Sequence, residues 1–472
     1  MVNERWPVEL AVDPETLEHP LKFKTALAKA RNRLLKAAMS ENIATVDPHR
    51  LQFHGVPTQR LINLYEKFGA GGWGAVITGS ISVDHKHYEG PGAMIISREC
   101  ESEARRAQFR RLTEAAKSHK GLILAQLNHN GRQTLATVNP TPYSASDVQL
   151  ETQMKGSFFG KPLPLTLEQI QTEVVDRFVY AALFAYDTGF NGVQIAAAFG
   201  TILSQFLSPS TNLRNDEYGG SLKNRCRVID EIYYGIRSKI PAGSGFIVSI
   251  KLNSAEFQNG GLETNDVVNM AKHFDELGFD FIELTGGNLE APRMEHVKES
   301  TKKREAYFIE FAAAIKPNIQ NAIVYLTGGF RTAPAMIAAI RNNETDGIGL
   351  ARAAAAEPDL PKKIINQGIQ SAAATVFADN FMISMPAANT QLAQAGSSDL
   401  SETNGDLCHG ISDFSNPAEA EIYQKAMFKW FGDLCEAGSK GRAEIGVFEY
   451  HTRSKNAPQE HKGFLKRLLE SI

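Results

Sequence analysis

Short apolar runs recur eight times in the first 350 residues, and a longer segment with helical spacing follows each of the first seven. The run at 121–127 is continuous rather than alternating, which is typical of a parallel strand covered on both faces. The other apolar runs are also predicted to be parallel strands, because they alternate along the chain with predicted helices. The predicted strands are 34–38, 74–79, 121–127, 192–196, 246–251, 281–284, 323–326 and 346–350.

The segments between these runs carry helix signals. In 264–277 the apolar residues fall on one face and Gly278 follows as a stop, so both the helix and its end are predicted. Thr166 starts another helix, with Gln169 placed for a capping box and Gly189 placed to end it. The other predicted helices are 60–68, 104–116, 222–240, 308–315 and 333–341.

Eight strand–helix units predict an α/β fold, a closed (β/α)8 TIM barrel. A doubly wound open sheet is the alternative, although no GxGxxG motif follows the first strand. Such a barrel takes about 250 residues, so the 472-residue chain has room for more. We therefore predict a barrel domain at 1–360, with a lid or hairpin beneath it in the first 30 residues. A helical extension at 361–472 is expected to pack on the barrel, with Asn416–Pro417 as a helix start.

The composition argues against some classes of binding partner. The chain is 43% hydrophobic and 22% charged with a net charge of −3, which is typical of a soluble globular protein. It has no block of Lys and Arg, so neither nucleic acid nor a membrane surface is expected as a partner. The cysteines show no metal-binding or pairing pattern, which predicts a reduced, cytoplasmic chain without a metal centre. They are Cys100, Cys226, Cys408 and Cys435.

Two loops have the composition of a phosphate site. Gly328-Gly329-Phe330-Arg331 follows the seventh strand, and Ala351-Arg352 follows the eighth. Phosphate sites of barrels commonly lie after these two strands. Glycine permits close backbone approach, and arginine offers a planar fork to phosphate oxygens. The same Gly-Gly pair is equally compatible with a simple turn.

Two polar side chains close apolar strands. Lys251 ends the fifth strand and Gln126 lies near the end of the third. Each is compatible with a ligand contact at the barrel mouth. Each is also compatible with a plain strand end: a solvated lysine, or an amide bonded to the next loop.

The stretch 205–225 closely resembles the signature of the Old Yellow Enzyme family, the FMN-dependent ene-reductases. The resemblance extends over roughly residues 20–360 and is greatest to the fungal branch with long C-termini. It implies a TIM barrel, FMN as the cofactor, and NADPH or NADH as the reductant.

The resemblance also implies roles for particular residues. Lys251 would stabilise the reduced flavin ring and Gln126 would bind its pyrimidine edge. Ser40 stands where the family has a residue that tunes the flavin potential, and Ala351 departs from the usual glycine. The implied FMN-binding residues are Ala37, Ala38, Met39, Ser40, Gly79, Gln126, Lys251, Gly328, Gly329, Ala351 and Arg352.

The family's catalytic residues are missing from the end of strand four. The family has His there, His or Asn three residues on, and usually Tyr two residues later. This chain has Ala196, Phe199 and Thr201 instead. Alanine and phenylalanine side chains donate no hydrogen bond, and a threonine hydroxyl lacks a phenol's acidity. We expect these three residues to line a reshaped, apolar substrate site, and the catalytic residues remain unknown.

Three hypotheses follow. The first is a flavin oxidoreductase that transfers hydride to a small apolar molecule, such as a secondary metabolite. The second is a redox-neutral isomerase or cyclase on the same barrel, and the third is a non-catalytic flavin-binding protein. Only the first requires net consumption of NADPH or NADH. The oligomeric state, including a homo-oligomer, is left open.

Overall fold

Eight parallel strands close into a barrel. The computed structural model describes residues 2–256, 260–290, 305–378, 380–444 and 446–451. The strands are β1 Leu34–Lys36, β2 Ala75–Ser82, β3 Ile123–Asn128, β4 Gly192–Ala197, β5 Ile247–Asn253, β6 Phe281–Thr285, β7 Ile323–Thr327 and β8 Gly347–Leu350. Each pairs with its neighbour in the chain, and β1 also pairs with β8, which closes the ring. The TIM barrel is confirmed and the open sheet is excluded.

The helices surround this ring. They are α1 Gln59–Ala70, α2 Glu103–Lys117, α3 Asp176–Asp187, α4 Leu222–Arg237, α5 Thr264–Leu277, α6 Ile309–Ile315, α7 Ala333–Arg341 and α8 Leu360–Gln367. Thr166 forms the predicted capping box with Gln169, and a π-helical segment at Ile170–Val175 leads into α3. α5 ends at Gly278, which is left-handed as a helix stop requires. No helix in the described ranges is both long and apolar enough to cross a membrane.

A hairpin closes the lower end of the barrel. Its strands, Leu21–Phe23 and Ala28–Ala30, pair antiparallel. The Phe23 ring lies 5.6 Å from that of Phe281, in an apolar cluster formed with inward-facing barrel residues. These are Leu35, Ala75, Ile77, Leu124, Ile247, Phe281 and Tyr325. Because side chains alternate along a strand, residues two and four positions further on face the same interior, nearer the mouth.

Two long helices lie in the described part of the C-terminal extension: α9 Phe381–Ala395 and α10 Pro417–Ser439. α10 begins as predicted, because the Asn416 side chain accepts hydrogen bonds from the first-turn amides. α9 is bonded to the barrel through α1, where Lys67 Nζ donates to Ala395 O at 2.6 Å and Arg60 Nη2 donates to Ala393 O at 3.0 Å. The predicted extension beyond residue 451 lies outside the described residues.

Candidate active site

A chain of polar side chains crosses the barrel interior. Lys251 Nζ on β5 lies 3.0 Å from Glu283 Oε1 on β6. Gln194 Nε2 on β4 donates to Glu283 Oε2 at 2.7 Å, and Gln126 Nε2 on β3 donates to Gln194 Oε1 at 2.7 Å. Lys251 is therefore not a solvated strand end, and the Gln126 amide is bonded to the neighbouring strand rather than to the next loop. Among the described residues, the oxygen of that amide has no hydrogen-bond partner and can accept one.

Polar atoms without partners lie above this chain. Asn128 Oδ1, Asn253 Nδ2 and Thr327 Oγ1 are buried and find no hydrogen-bond partner in the part of the chain that the structure describes. They belong to the carboxyl ends of β3, β5 and β7, on the inward face of each strand. A buried polar group left unpaired costs about 1–3 kcal/mol. These atoms therefore fit a polar ligand lying across the mouth of the barrel.

Gly79 lies on β2 and is tightly enclosed by residues that follow β1; these two segments together are called the β1–β2 wall. Its amide donates to Glu41 Oε1 at 2.8 Å and to the Tyr65 hydroxyl at 2.9 Å, and Tyr65 in turn donates to Glu41. A Cβ at Gly79 would lie 2.4 Å from Met39 O and 2.2 Å from Glu41 Oε2. This position therefore has no room for a side chain. Burial raises the pKa of the Glu41 carboxyl.

Lys36 is a buried cation behind the same wall. Its Nζ donates to Ile77 O at 2.9 Å and lies 4.9 Å from the centre of the Phe68 ring. Burial lowers the pKa of this lysine to about 8, although the charge of Glu41 opposes the shift. The sequence analysis placed Lys36 in the first strand without assigning it a role.

The end of β1 brings four predicted flavin contacts to the mouth. The Ala37 amide donates to Leu350 O on β8 at 2.9 Å, which fixes the direction of the chain as it leaves the barrel. Ala38 and Ser40 are half-buried, whereas Met39 is buried. The Ser40 hydroxyl donates to the carboxylate of Glu89. The side chain predicted to tune the flavin potential is thus bonded to an acidic group.

The loop after β7, the predicted phosphate cradle, places two successive glycines in a left-handed conformation. Gly328 and Gly329 have φ angles of +137° and +96°, which side-chain-bearing residues rarely adopt. A Cβ on Gly328 would lie 3.0 Å from the Phe308 ring, and one on Gly329 would lie 2.5 Å from Glu305 O. Both positions therefore need glycine for conformation as well as for space.

The two arginines proposed from sequence lie in different environments. The Arg331 guanidinium stacks 4.0 Å from the centre of the Trp6 ring. Arg352 donates through Nη1 to Ser384 Oγ at 2.7 Å and through Nη2 to the Tyr307 hydroxyl at 3.1 Å. A guanidinium has five N–H donors, so Arg352 retains donors for a phosphate. Its neighbour Ala351 has φ −108°, so the methyl group that replaces the family's glycine adds no left-handed strain.

The loop after β4 offers no side-chain donor at the three family positions. Ala196 pairs in register with Lys251, next to the polar chain. The Thr201 hydroxyl lies 3.0 Å from the carbonyl oxygens of both Ala196 and Ala198, to which it donates. Phe199 has φ +59°, and its backbone is held by the Asn253 and Gln133 amides. The Thr201 hydroxyl hydrogen is therefore directed at the backbone rather than at a ligand.

The signature stretch 205–225 supports this loop structurally. Gln205 Nε2 donates to Gly200 O at 2.8 Å. Asp216 pairs with Arg214 at 2.6 Å, and Arg225 pairs with Asp266 at 2.9 Å. These contacts are within loops or between helices, so they hold the segment in place.

Asp84, His87 and His129 form a buried cluster with metal-like spacing. His87 Nε2 accepts from the Tyr143 amide at 2.9 Å, so its proton is on Nδ1, which donates to Asp84 at 2.8 Å. His129 Nδ1 accepts from the Gly131 amide at 3.0 Å, so its proton is on Nε2, 3.7 Å from Asp84. Both nitrogens that face Asp84 therefore carry protons rather than free lone pairs. Burial opposes ionisation, but the bond from His87 keeps the pKa of Asp84 well below its usual range.

Three features of the site suit FMN, which has a phosphate and a polar ring. They are the cradle after β7, the Lys251 cation and Gln126 amide in the interior, and the unpaired atoms at the mouth. Comparison with known proteins supports the same cofactor. The chain belongs to the NADH:flavin oxidoreductase / NADH oxidase family, whose sequence model matches residues 16–371. It is accordingly an FMN-dependent oxidoreductase of the Old Yellow Enzyme type, with NADH or NADPH as the reductant.

Individual relatives support this membership. The chain is 39% identical over 392 residues to the NADH-dependent flavin oxidoreductase nadA of Aspergillus parasiticus, covering 82% of this chain and 87% of the relative. It is 33% identical over 357 residues to the NADH-dependent flavin oxidoreductase iccE of Talaromyces variabilis, covering 71% of this chain and 83% of that relative.

Solved structures share the fold. The Old Yellow Enzyme homologue from Zymomonas mobilis matches with a TM-score of 0.62 at 24% identity, over 75% of this chain and 94% of that protein. Morphinone reductase matches with a TM-score of 0.60 at 21% identity, over 75% of this chain and 90% of that protein. At these identities the likeness shows the barrel architecture alone.

The sequence analysis missed several residues of the site. Gln194 and Glu283 are polar residues within apolar strands, a pattern that signals a buried partner because an unpaired charge is costly there. Tyr307 and Ser384 carry no such local signal, since only the fold brings them to Arg352.

Proposed function

We propose that the protein reduces a small apolar molecule, of the secondary-metabolite class, at a flavin site that lacks the usual donors after strand four. The observation that carries this proposal is the loop at Ala196, Phe199 and Thr201, in which the one hydroxyl is bonded to backbone carbonyls. A carbonyl substrate would find no side-chain donor there. An apolar substrate would find the Ala196 methyl group and the Phe199 ring.

We propose that the polar contacts to FMN come from four strands, β3, β5, β7 and β8. Gly328, Gly329 and Arg352 would bind the phosphate, while Lys251 and Gln126 would bind the polar edge of the ring. When bound, FMN would carry hydride from the nicotinamide to the substrate. The cation of Lys251 would stabilise negative charge on the reduced ring, as preorganised charges do in water-poor sites. The Glu283 carboxylate, 3.0 Å away, would keep that cation in place.

The wall beside the ring would be formed by the backbone of Ala37, Ala38 and Met39, by Ser40 and by Gly79. Gly79 is tightly enclosed by Met39 O and the Glu41 carboxylate, so this part of the wall has no room for a side chain of its own. The proton donor that completes reduction is not among the three family positions after β4. Water would supply that proton.

The first test is the visible spectrum of the purified protein before and after anaerobic addition of NADH, and separately of NADPH. We expect a yellow protein that bleaches with at least one of them. Arg352→Ala and Lys251→Ala should both purify with less flavin. Wild-type flavin content in both variants would contradict the proposed cofactor contacts, and a yellow protein that neither nucleotide bleaches would contradict the redox function.

The second test restores the family's donors. Wild-type protein should reduce cyclohexenone negligibly above the oxygen background. Ala196→His combined with Phe199→Asn should raise that rate at least tenfold, because a single preorganised donor is commonly worth about 10²–10³ in rate. Asn also tolerates the left-handed backbone at position 199 better than Phe does. Thr201→Val is the matched control and should leave the rate unchanged. Strong wild-type activity on cyclohexenone would refute the missing-donor argument.

A further inference from the structure

The C-terminal extension reaches the proposed phosphate site. Ser384, on the first turn of α9, accepts a hydrogen bond from Arg352 Nη1 at 2.7 Å. It is only 4% exposed. The family's sequence model ends at residue 371, so Ser384 lies outside the matched segment. The extension therefore contributes a contact that family membership does not describe.

A second hydroxyl holds the other side of the guanidinium. Tyr307 accepts from Arg352 Nη2 at 3.1 Å. The Tyr307 ring also packs on the glycine loop, since added Cβ atoms at Gly328 and Gly329 would lie 3.3 and 3.2 Å from it. Tyr307 thus joins Arg352 to the cradle on one side, while Ser384 joins it to the extension on the other.

α9 is anchored well enough to hold a side chain in place. Its last turn receives the bonds from Lys67 and Arg60 described above, and its apolar residues Ala388 and Leu392 belong to the main barrel core. A side chain near the start of such a helix has little freedom to move. A long arginine otherwise loses considerable rotamer entropy when it binds a phosphate.

We propose that Ser384 is a positioning residue for the FMN phosphate: the extension fixes the Arg352 guanidinium beside the glycine loop before the cofactor arrives. The inference rests on the proposed phosphate site at Gly328, Gly329 and Arg352. Two of the five guanidinium N–H groups are used by Ser384 and Tyr307, and the remaining ones serve the phosphate. The extension is, in this respect, part of the cofactor site.

The test compares two flavins that differ only in the phosphate. Full-length protein freed of flavin is titrated with FMN and with riboflavin, and quenching of flavin fluorescence gives each dissociation constant. Ser384→Ala should weaken FMN binding about tenfold, the lower end of the value of a hydrogen bond to a charged group. Riboflavin binding should be unchanged, and Ser384→Thr should restore most of the FMN affinity. Ser397→Ala is the matched control, because within the described ranges its hydroxyl bonds to Gln394 O alone, just beyond the far end of α9.

Other outcomes separate the inference from the proposed function. An unchanged FMN affinity in Ser384→Ala, with a loss in Arg352→Ala, would overturn the role of Ser384 and leave the phosphate site standing. Equal losses for FMN and riboflavin would show a general structural role and overturn the inference as well. An unchanged FMN affinity in Arg352→Ala would overturn the phosphate site together with the inference. If Ser384→Ala fails to fold, Tyr307→Phe removes the other bond, and the same FMN-selective loss is expected.

Discussion

The ion pair inside the barrel offers a quantitative test of how the site is held together. The Glu283 side chain is fully buried and that of Lys251 is 11% exposed, with 3.0 Å between their charged atoms. Glu283→Leu would leave the lysine cation without this partner in a largely dry interior. Breaking a buried pair by removing one member costs about 3–5 kcal/mol. It would also take the acceptor from Gln194 Nε2, at about 1–3 kcal/mol for a buried unpaired donor.

The double variant separates these two contributions. Lys251→Met alone leaves the Glu283 carboxylate with Gln194 but without its cation, so it should also lose about 3–5 kcal/mol. With both changes neither charge remains, and apolar replacements of a buried pair are often neutral. We therefore expect Glu283→Leu with Lys251→Met to lose only the Gln194 contribution of about 1–3 kcal/mol. The double variant should be more stable than either single variant.

The assay is urea-induced unfolding of flavin-free protein, followed by tryptophan fluorescence. Trp73 is fully buried against the barrel and reports on its packing. The coupling between the two changes, taken from the four proteins of the cycle, should be several kcal/mol. Additive losses in the double variant would refute the argument, because they would mean that the two charges do not depend on each other.

Two further predictions concern the wall beside the ring. The pKa of Lys36 falls from 10.5 to about 8 in the folded protein, so the unfolded chain binds more protons between these pH values, and stability should rise with pH across this window. The free energy of unfolding, measured in urea at pH 8 and 10.5, should rise about 3 kcal/mol more in wild type than in Lys36→Met, and equal slopes would refute the burial argument. Gly79→Ala should lower the thermal midpoint and the flavin content, because its Cβ would overlap Met39 O. Gly432 lies inside α10 with open space where a Cβ would project, so Gly432→Ala should instead stabilise the protein by about 0.5–1 kcal/mol. Equal effects of alanine at both glycines would contradict the steric argument.

The sequence predicted the barrel well because its signals are local. A continuous apolar run marks a buried parallel strand whatever the rest of the chain does, and all eight predicted runs overlap the observed strands. Helix ends with caps were predictable for the same reason, as at Asn416 in α10. α9 was missed because it gives no such signal. Pro386 lies inside it, which predicts a break, and its buried residues surround the axis instead of forming one stripe.

Contacts between side chains were less predictable than the strands that carry them. Gln126 and Lys251 could be singled out, but the two residues that join them could not. Their pairing depends on the register between strands separated by up to 89 residues of chain. The contact between Arg352 and Ser384 depends in the same way on how α9 docks. Residue types can therefore suggest a ligand chemistry, whereas the partners that orient them require the fold.

The arrangement of the barrel explains how a flavin site can be kept while the chemistry above it changes. The polar chain from Lys251 to Gln126 lies inside the barrel and is bonded strand to strand. Ala196 is in register with Lys251, yet it contributes no hydrogen bond from its side chain to that chain. A substitution at the end of β4 therefore alters what meets the substrate without removing a partner from the cofactor site. The backbone of the loop that follows is held at Phe199, whose amide donates to Asn253 Oδ1 and whose carbonyl accepts from Gln133 Nε2, so these bonds do not involve the side chain at position 199. The proposed loss of the family's donors would thus leave the fold and the proposed cofactor contacts in place.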